Sequence, residues 1–178
     1  MSGAGTGVRL LSLDDVDELT TLELANREHL RPWDPARAPE YFTASEQRHR
    51  LEIALGEHEA GRAVPFGITT DAGELIGRVT LSGVVRGALQ SCAMGYWIAA
   101  DHVRRGHAAR AAALAVEHAF TALELHRVQA ETLPENVASQ AVLTRIGFTH
   151  YGLAPQYLRI DGAWRDFLMF QRINPAAD

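Results

Sequence analysis

Apolar positions along the 178-residue chain recur with two periods, and each switch between them marks an element boundary. Val8, Leu10 and Leu11 read as a short first strand. Val16, Leu19, Leu22 and Leu24 then follow a helical spacing that Asp14 is placed to cap. This helix is expected to fade near Arg31-Pro32, where Pro32, Pro35 and Pro39 punctuate an irregular stretch. A polar helix is predicted over residues 45–59, with Gly61 beyond its end. Val64, Phe66 and Ile68 alternate with other residues, Asp71-Ala72-Gly73 is a turn signal, and residues 75–81 return as the second arm of a hairpin.

Cys92, Met94, Tyr96 and Ile98 share one face of a third strand and Ala93, Gly95, Trp97 and Ala99 the other, so both faces are expected to be covered. An alanine-rich helix follows over residues 106–125, then a strand in which Val128, Ala130 and Thr132 alternate with Gln129, Glu131 and Leu133. Asn136 can cap a further helix that stops at Gly147. Two closing strands run from Phe148 and over residues 164–173, joined by the turn signal Asp161-Gly162. The chain has no internal repeat or linker. Its length fits one domain over residues 1–178, with residues 1–7 a flexible small-residue tail.

A net charge of −5 offers no broad basic surface for a phosphate backbone, so nucleic acid is not expected as a partner. The most apolar stretch, residues 108–125, carries Arg110, Glu117 and Glu124, which argues against a membrane span. The first residues show neither a basic nor an apolar leader segment. Cys92 is the single cysteine, which suits a reducing compartment, and the cytoplasm is expected. None of the eight histidines forms a His-x-x-x-His pair, so no metal is expected.

The chemistry concentrates where Gly95-Tyr96-Trp97-Ile98 gives way to Arg104-Arg105-Gly106-His107-Ala108-Ala109 at the start of the long helix. A helix start presents unpaired N–H groups and a positive dipole end, and a glycine there admits close approach of a ligand, so this turn can bind phosphate or pyrophosphate. The same glycine also reads as a purely steric turn residue. The segment lacks the Lys-Ser/Thr of a P-loop and the three spaced glycines of a dinucleotide site, which leaves coenzyme A.

From Gly95 through Gly147-Phe148 the sequence resembles the acetyl-CoA-binding core of GNAT-superfamily acetyltransferases. Gly106 and Ala108 fit their Gln/Arg-x-x-Gly-x-Gly/Ala motif, whose leading position is Val103 here. Asn136-Val137-Ala138-Ser139-Gln140, followed by residues 143–148, resembles the N-x-A-S-x…GF stretch of the RimJ/RimL-like branch that acetylates ribosomal-protein N-termini. Residues 26–33, Asn-Arg-Glu-His-Leu-Arg-Pro-Trp, resemble that branch's opening helix and loop, and residues 161–166 its closing hairpin.

The resemblance implies an α/β fold with a mixed, largely antiparallel sheet splayed near Ile98, helices on both faces, and the coenzyme in the gap beside the Gly106 helix. It also implies direct transfer from acetyl-CoA to a primary amine, with no metal. Tyr96, Trp97 and Ile98 would hold the pantetheine arm, with the Ile98 N–H facing the oxyanion. The N–H groups of Arg104, Arg105, Gly106, His107, Ala108 and Ala109 would hold the pyrophosphate. Asn136 would bind the coenzyme arm, Ser139 would protonate the thiolate, Glu131 would act as base, and His29 and Trp33 would lie on the acceptor side. The tyrosine that some relatives use as acid corresponds to Leu143, and a late glutamate of others to Leu158. Read by position alone, Asn136 and Ser139 are equally helix-capping residues, Glu131 a solvated strand position, Trp97 core, and Arg104 and Arg105 a solvated pair.

The leading acceptor is a protein or peptide N-terminus, because an α-amine of pKa about 7.7 to 8.0 is partly neutral at cell pH while lysine, at about 10.4, is not. Acetylation of a small amine such as an aminoglycoside or polyamine, transfer of another acyl group such as succinyl, a non-catalytic acyl-CoA-binding module, and a homodimer all stay open.

Overall fold

The computed structural model describes residues 5–176. Among these, seven strands form one sheet: β1 (Thr6–Leu10), β2 (Val64–Thr70), β3 (Leu75–Val85), β4 (Ser91–Ile98), β5 (Arg127–Thr132), β6 (Thr149–Ile160) and β7 (Ala163–Ile173), in the order β1-β2-β3-β4-β5-β7-β6. Every neighbouring pair is antiparallel except β4 and β5, which run parallel and pair only over residues 91–93 and 127–129. Beyond Ala93 the two strands part. The expected splay near Ile98 therefore begins several residues earlier and leaves one edge of β4 unpaired from Met94 to its end.

Helices α1 (Val16–Ala25), α2 (Arg27–Leu30) and α3 (Ala44–Glu59) belong to one side of the sheet, where Leu11, Val16, Leu19, Leu51 and Leu75 make a small core. Helices α4 (His107–Thr121) and α5 (Val137–Arg145) belong to the other. Ala111, Ala112, Ala115 and Ala119 of α4 are fully buried against Ile68, Val79, Leu81 and Met94. Side chains this small let the helix lie close to the sheet, which brings its first turn to the mouth of the β4–β5 gap.

The turn chemistry is as the sequence indicates. Asp161 and Gly162 take φ of 46° and 83°, the two left-handed residues that a tight hairpin turn requires. Gly61, at φ 70°, follows α3 as a helix-terminating residue.

Other expectations are corrected. Asp14 is exposed and caps nothing. Asp15 instead accepts the Ser12 N–H at 2.7 Å and holds Arg9 through two bonds of 2.6 and 2.8 Å, so a short 3-10 turn precedes α1. Thr6 and Gly7, expected in the tail, pair with Thr70 and Thr69; residues 1–4 lie outside the described residues. The first helix breaks at Asn26, whose side chain donates to the Leu22 carbonyl at 2.8 Å and accepts the Ala100 N–H at 2.8 Å. The long helix ends at Thr121 because Glu124 turns left-handed (φ 52°) and sends the buried Leu125 back under Ala119. The second face of β4 is only partly covered: Ala99 is buried, Ala93 and Trp97 half-buried, and Gly95 exposed.

Candidate active site

The gap between β4 and β5 is lined by backbone groups with no strand to meet them. Ala99 donates its N–H to the Ile76 carbonyl of β3 at 2.8 Å. Backbone groups alternate direction along a strand, so the N–H and C=O groups of Tyr96 and Ile98 face the opposite edge, into the gap. At its mouth α4 begins from Gly106, at φ 89° and ψ −4°. The first bond of the helix runs from the Arg110 N–H to the Gly106 carbonyl, so the N–H groups of His107, Ala108 and Ala109 have no partner within it. A Cβ built on Gly106 would meet nothing within 4 Å, so the turn faces open space. Arg104 is also left-handed (φ 60°), and it lines the cleft, whereas Arg105 is exposed outside it. The His107 ring is buried and its Nδ1 lies 2.8 Å from Thr6 Oγ1, so what this residue can offer a ligand is its backbone N–H.

Across the gap stands α5. Asn136 caps it, its carboxamide oxygen accepting the Ser139 N–H at 3.1 Å, which leaves the amide nitrogen as the group available to a ligand. Ser139 Oγ lies 2.9 Å from the Tyr96 hydroxyl, and that hydroxyl is also 3.3 Å from the Ser139 carbonyl. Burial pushes the Tyr96 phenol up to about 12, so it stays protonated and can donate.

One cleft of about 920 Å³ joins these groups to His29, Trp33, Trp97 and Glu131. Glu131 is half-buried on the strand face opposite the core residues Val128 and Ala130, and burial holds its carboxyl above the ordinary range. Farther along the same cleft is Glu23 of α1, only 3% exposed. Its Oε1 is 3.4 Å from the Tyr41 hydroxyl and 3.9 Å from Arg78, and Arg78 sits opposite Trp97 in the β3–β4 ladder. Burial dominates here too, raising the Glu23 carboxyl despite the nearby Arg78. Among the described residues no three His, Cys, Asp or Glu side chains converge as metal ligands would, and no helix is long and apolar enough to cross a membrane.

The acetyltransferase (GNAT) domain family matches residues 7–149. The chain is 34% identical over 169 residues to the ribosomal protein uS5-alanine N-acetyltransferase of Escherichia coli (strain K12), covering 94% of this chain and 87% of that one. The chain belongs to the GNAT acetyltransferase family. Its GNAT fold matches Mycobacterium smegmatis RimJ in complex with CoA-disulfide at a TM-score of 0.92 and 36% identity, over 96% of this chain and 83% of that chain. It matches the ribosomal-protein-S5-alanine acetyltransferase from Vibrio fischeri at 0.92 and 30% identity, over 97% and 95%.

Two features of this GNAT cleft escape sequence reasoning. Tyr96 enters the sequence reading only as a residue along the coenzyme arm, yet its hydroxyl reaches Ser139, while Leu143 is fully buried in the core. Glu23 was legible in principle: with Val16 and Leu19 it falls on the buried stripe of α1, where a carboxylate is out of place.

Proposed function

We propose that this protein transfers the acetyl group of acetyl-CoA directly to the α-amine of a protein or peptide N-terminus. The observation that carries the reading is the Tyr96–Ser139 contact of 2.9 Å, which sets a hydroxyl pair on the wall of a gap whose other edge is unpaired backbone. The helix start at Gly106 supplies N–H groups and a positive dipole end for the pyrophosphate. Along β4 the Tyr96 and Ile98 backbone supplies bonds for the pantetheine arm, and the Ile98 N–H faces the thioester oxygen as it gains charge. Glu131 takes a proton from the nitrogen as the C–N bond forms. Ser139 gives a proton to the departing thiolate, and the Tyr96 hydroxyl holds Ser139 in place and shares the charge.

The relatives support the acceptor class. One is named as an alanine N-acetyltransferase of ribosomal protein uS5, and the RimJ of Mycobacterium smegmatis was solved with a coenzyme A disulfide. The buried Cys92 thiol, pushed up to about 12 by burial, is unreactive and compatible with a cytoplasmic setting. The reading is tested by following free-thiol release from acetyl-CoA with peptides beginning in alanine, against polyamines and aminoglycosides. The peptides are expected to turn over fastest; faster turnover of the small amines would reverse the assignment.

A further inference from the structure

We propose that Glu23 is the acceptor-ammonium site: its carboxylate binds the protonated amine of the acceptor and takes the first proton from it. The inference deepens the reading above and rests on it. A buried carboxylate normally sits in a tight ion pair or a set of short hydrogen bonds, since an unpaired buried charge is costly. Glu23 has neither. Its side chain is 4% exposed, its contact with Arg78 is 3.9 Å, and its bond from the Tyr41 hydroxyl is 3.4 Å, both at the outer limit of such interactions. Asp34, the other carboxylate nearby, is occupied by Arg37 at 3.2 Å.

The position fits the role. Asn26, three residues along the same helix, accepts the Ala100 N–H at 2.8 Å and so ties α1 to the chain just beyond Ile98. Arg78, 3.9 Å from Glu23, is the cross-strand neighbour of Trp97, and all three line the same cleft. The carboxylate thus lines the cleft next to the end of β4, where the thioester would lie, and the exposed Trp33 and half-buried His29 line the same cleft. A cationic amine entering the cleft supplies the close partner that the protein does not.

The charged and polar groups that act on Glu23 come from three other parts of the chain. Arg78 from β3 and Arg37 from the loop after α2 favour its charged form, as does the Tyr41 bond; burial and Asp34 oppose it. Burial is the largest effect, so the carboxyl sits above its usual range and nearer the ammonium it must deprotonate. The first step is R–NH₃⁺ with Glu23 carboxylate giving R–NH₂ and Glu23 carboxylic acid. The neutral amine then attacks the thioester carbon and the carbon–sulfur bond breaks. The second proton leaves the nitrogen to Glu131, Ser139 protonates the thiolate and regains a proton from Glu131 through water in the cleft, and Glu23 returns its proton to water as product departs. The sum is amide, thiol and one proton.

The test compares wild type with Glu23→Gln for an alanine-starting peptide across pH, together with the thermal shift caused by acetyl-CoA. The expected result is an unchanged coenzyme shift, a KM for the peptide raised at least tenfold, an acidic limb of the kcat/KM profile moved up toward the pKa of the free α-amine, about 7.7 to 8.0, and partial recovery in Glu23→Asp. An unchanged peptide KM and pH profile in folded Glu23→Gln would overturn the proposal, since a merely structural pair with Arg78 would change stability alone. A second measurement needs no variant: in wild type, a peptide analogue with hydroxyl in place of the α-amine should compete at least tenfold more weakly than the amine is bound, and equal binding would overturn the proposal. If wild type turns over no amine at all while binding acetyl-CoA, the transferase reading falls and this proposal with it; turnover with an unaltered Glu23→Gln profile removes Glu23 alone.

Discussion

In the proposed mechanism Ser139 protonates the thiolate, which a serine hydroxyl is too weak an acid to do unaided; the Tyr96 hydroxyl, 2.9 Å away, is placed to assist it. Ser139→Ala should keep coenzyme binding and slow turnover by roughly tenfold to a thousandfold, because the thiolate then departs without a placed proton. Tyr96→Phe should cost less, roughly fivefold to tenfold, the worth of one hydrogen bond of about 1 kcal/mol. Single-turnover rates for both, set beside acetyl-CoA affinity, check the order. An equal loss of affinity in Ser139→Ala would make it a helix-start residue only. Glu23 carries a further consequence for stability. Its carboxyl is held above the unfolded value of about 4.3, so the folded state binds more protons there and stability falls as pH rises from that value through the folded one. Glu23→Gln lacks this loss. Its Tm should equal or exceed that of wild type at neutral pH, and the advantage should vanish below about pH 4.

At the scale of elements, the start of α4 is the most exacting. Gly106 combines φ 89° with open space on the side where a Cβ would project. Gly106→Val therefore strains the backbone and fills the place left for phosphate, and the stabilisation by acetyl-CoA on heating should disappear. A full shift in the variant would put the phosphate cradle elsewhere. The start of α1 depends on Asp15, whose carboxyl the Arg9 guanidinium and the Ser12 N–H hold below the usual range. Asp15→Asn should cost about 1 to 2 kcal/mol near neutral pH, read as a lower denaturant midpoint at unchanged slope. Elements with local rules were legible in the sequence: the hairpin turns at Gly73 and Asp161-Gly162, the Gly61 stop, and the Asn136 cap. The Asn26 break was not, because the partner that commits it, the Ala100 N–H, lies 74 residues away.

Across the whole molecule, the sheet order and the open wedge between β4 and β5 follow from one parallel pairing of three residues. The strands themselves were readable by alternation; where they part was legible only through the family resemblance, since alternation says nothing about which edges meet. The side of the cleft proposed for the coenzyme, from Ile98 to Gly106, could be picked out in the sequence because strand, turn and helix are contiguous there. The acceptor side was not. It assembles Glu23 with Tyr41, 18 residues on, and with Arg78 from another element, and no spacing rule joins them. On the proposed reading, this cleft carries acetyl from acetyl-CoA to an N-terminal nitrogen. Mass spectrometry of an alanine-starting peptide incubated with the protein and acetyl-CoA reads that transfer at the atom concerned. One acetyl group on the α-nitrogen, formed in step with free thiol, is the predicted result. An unmodified peptide, or acetyl found only on a lysine side chain, would contradict it.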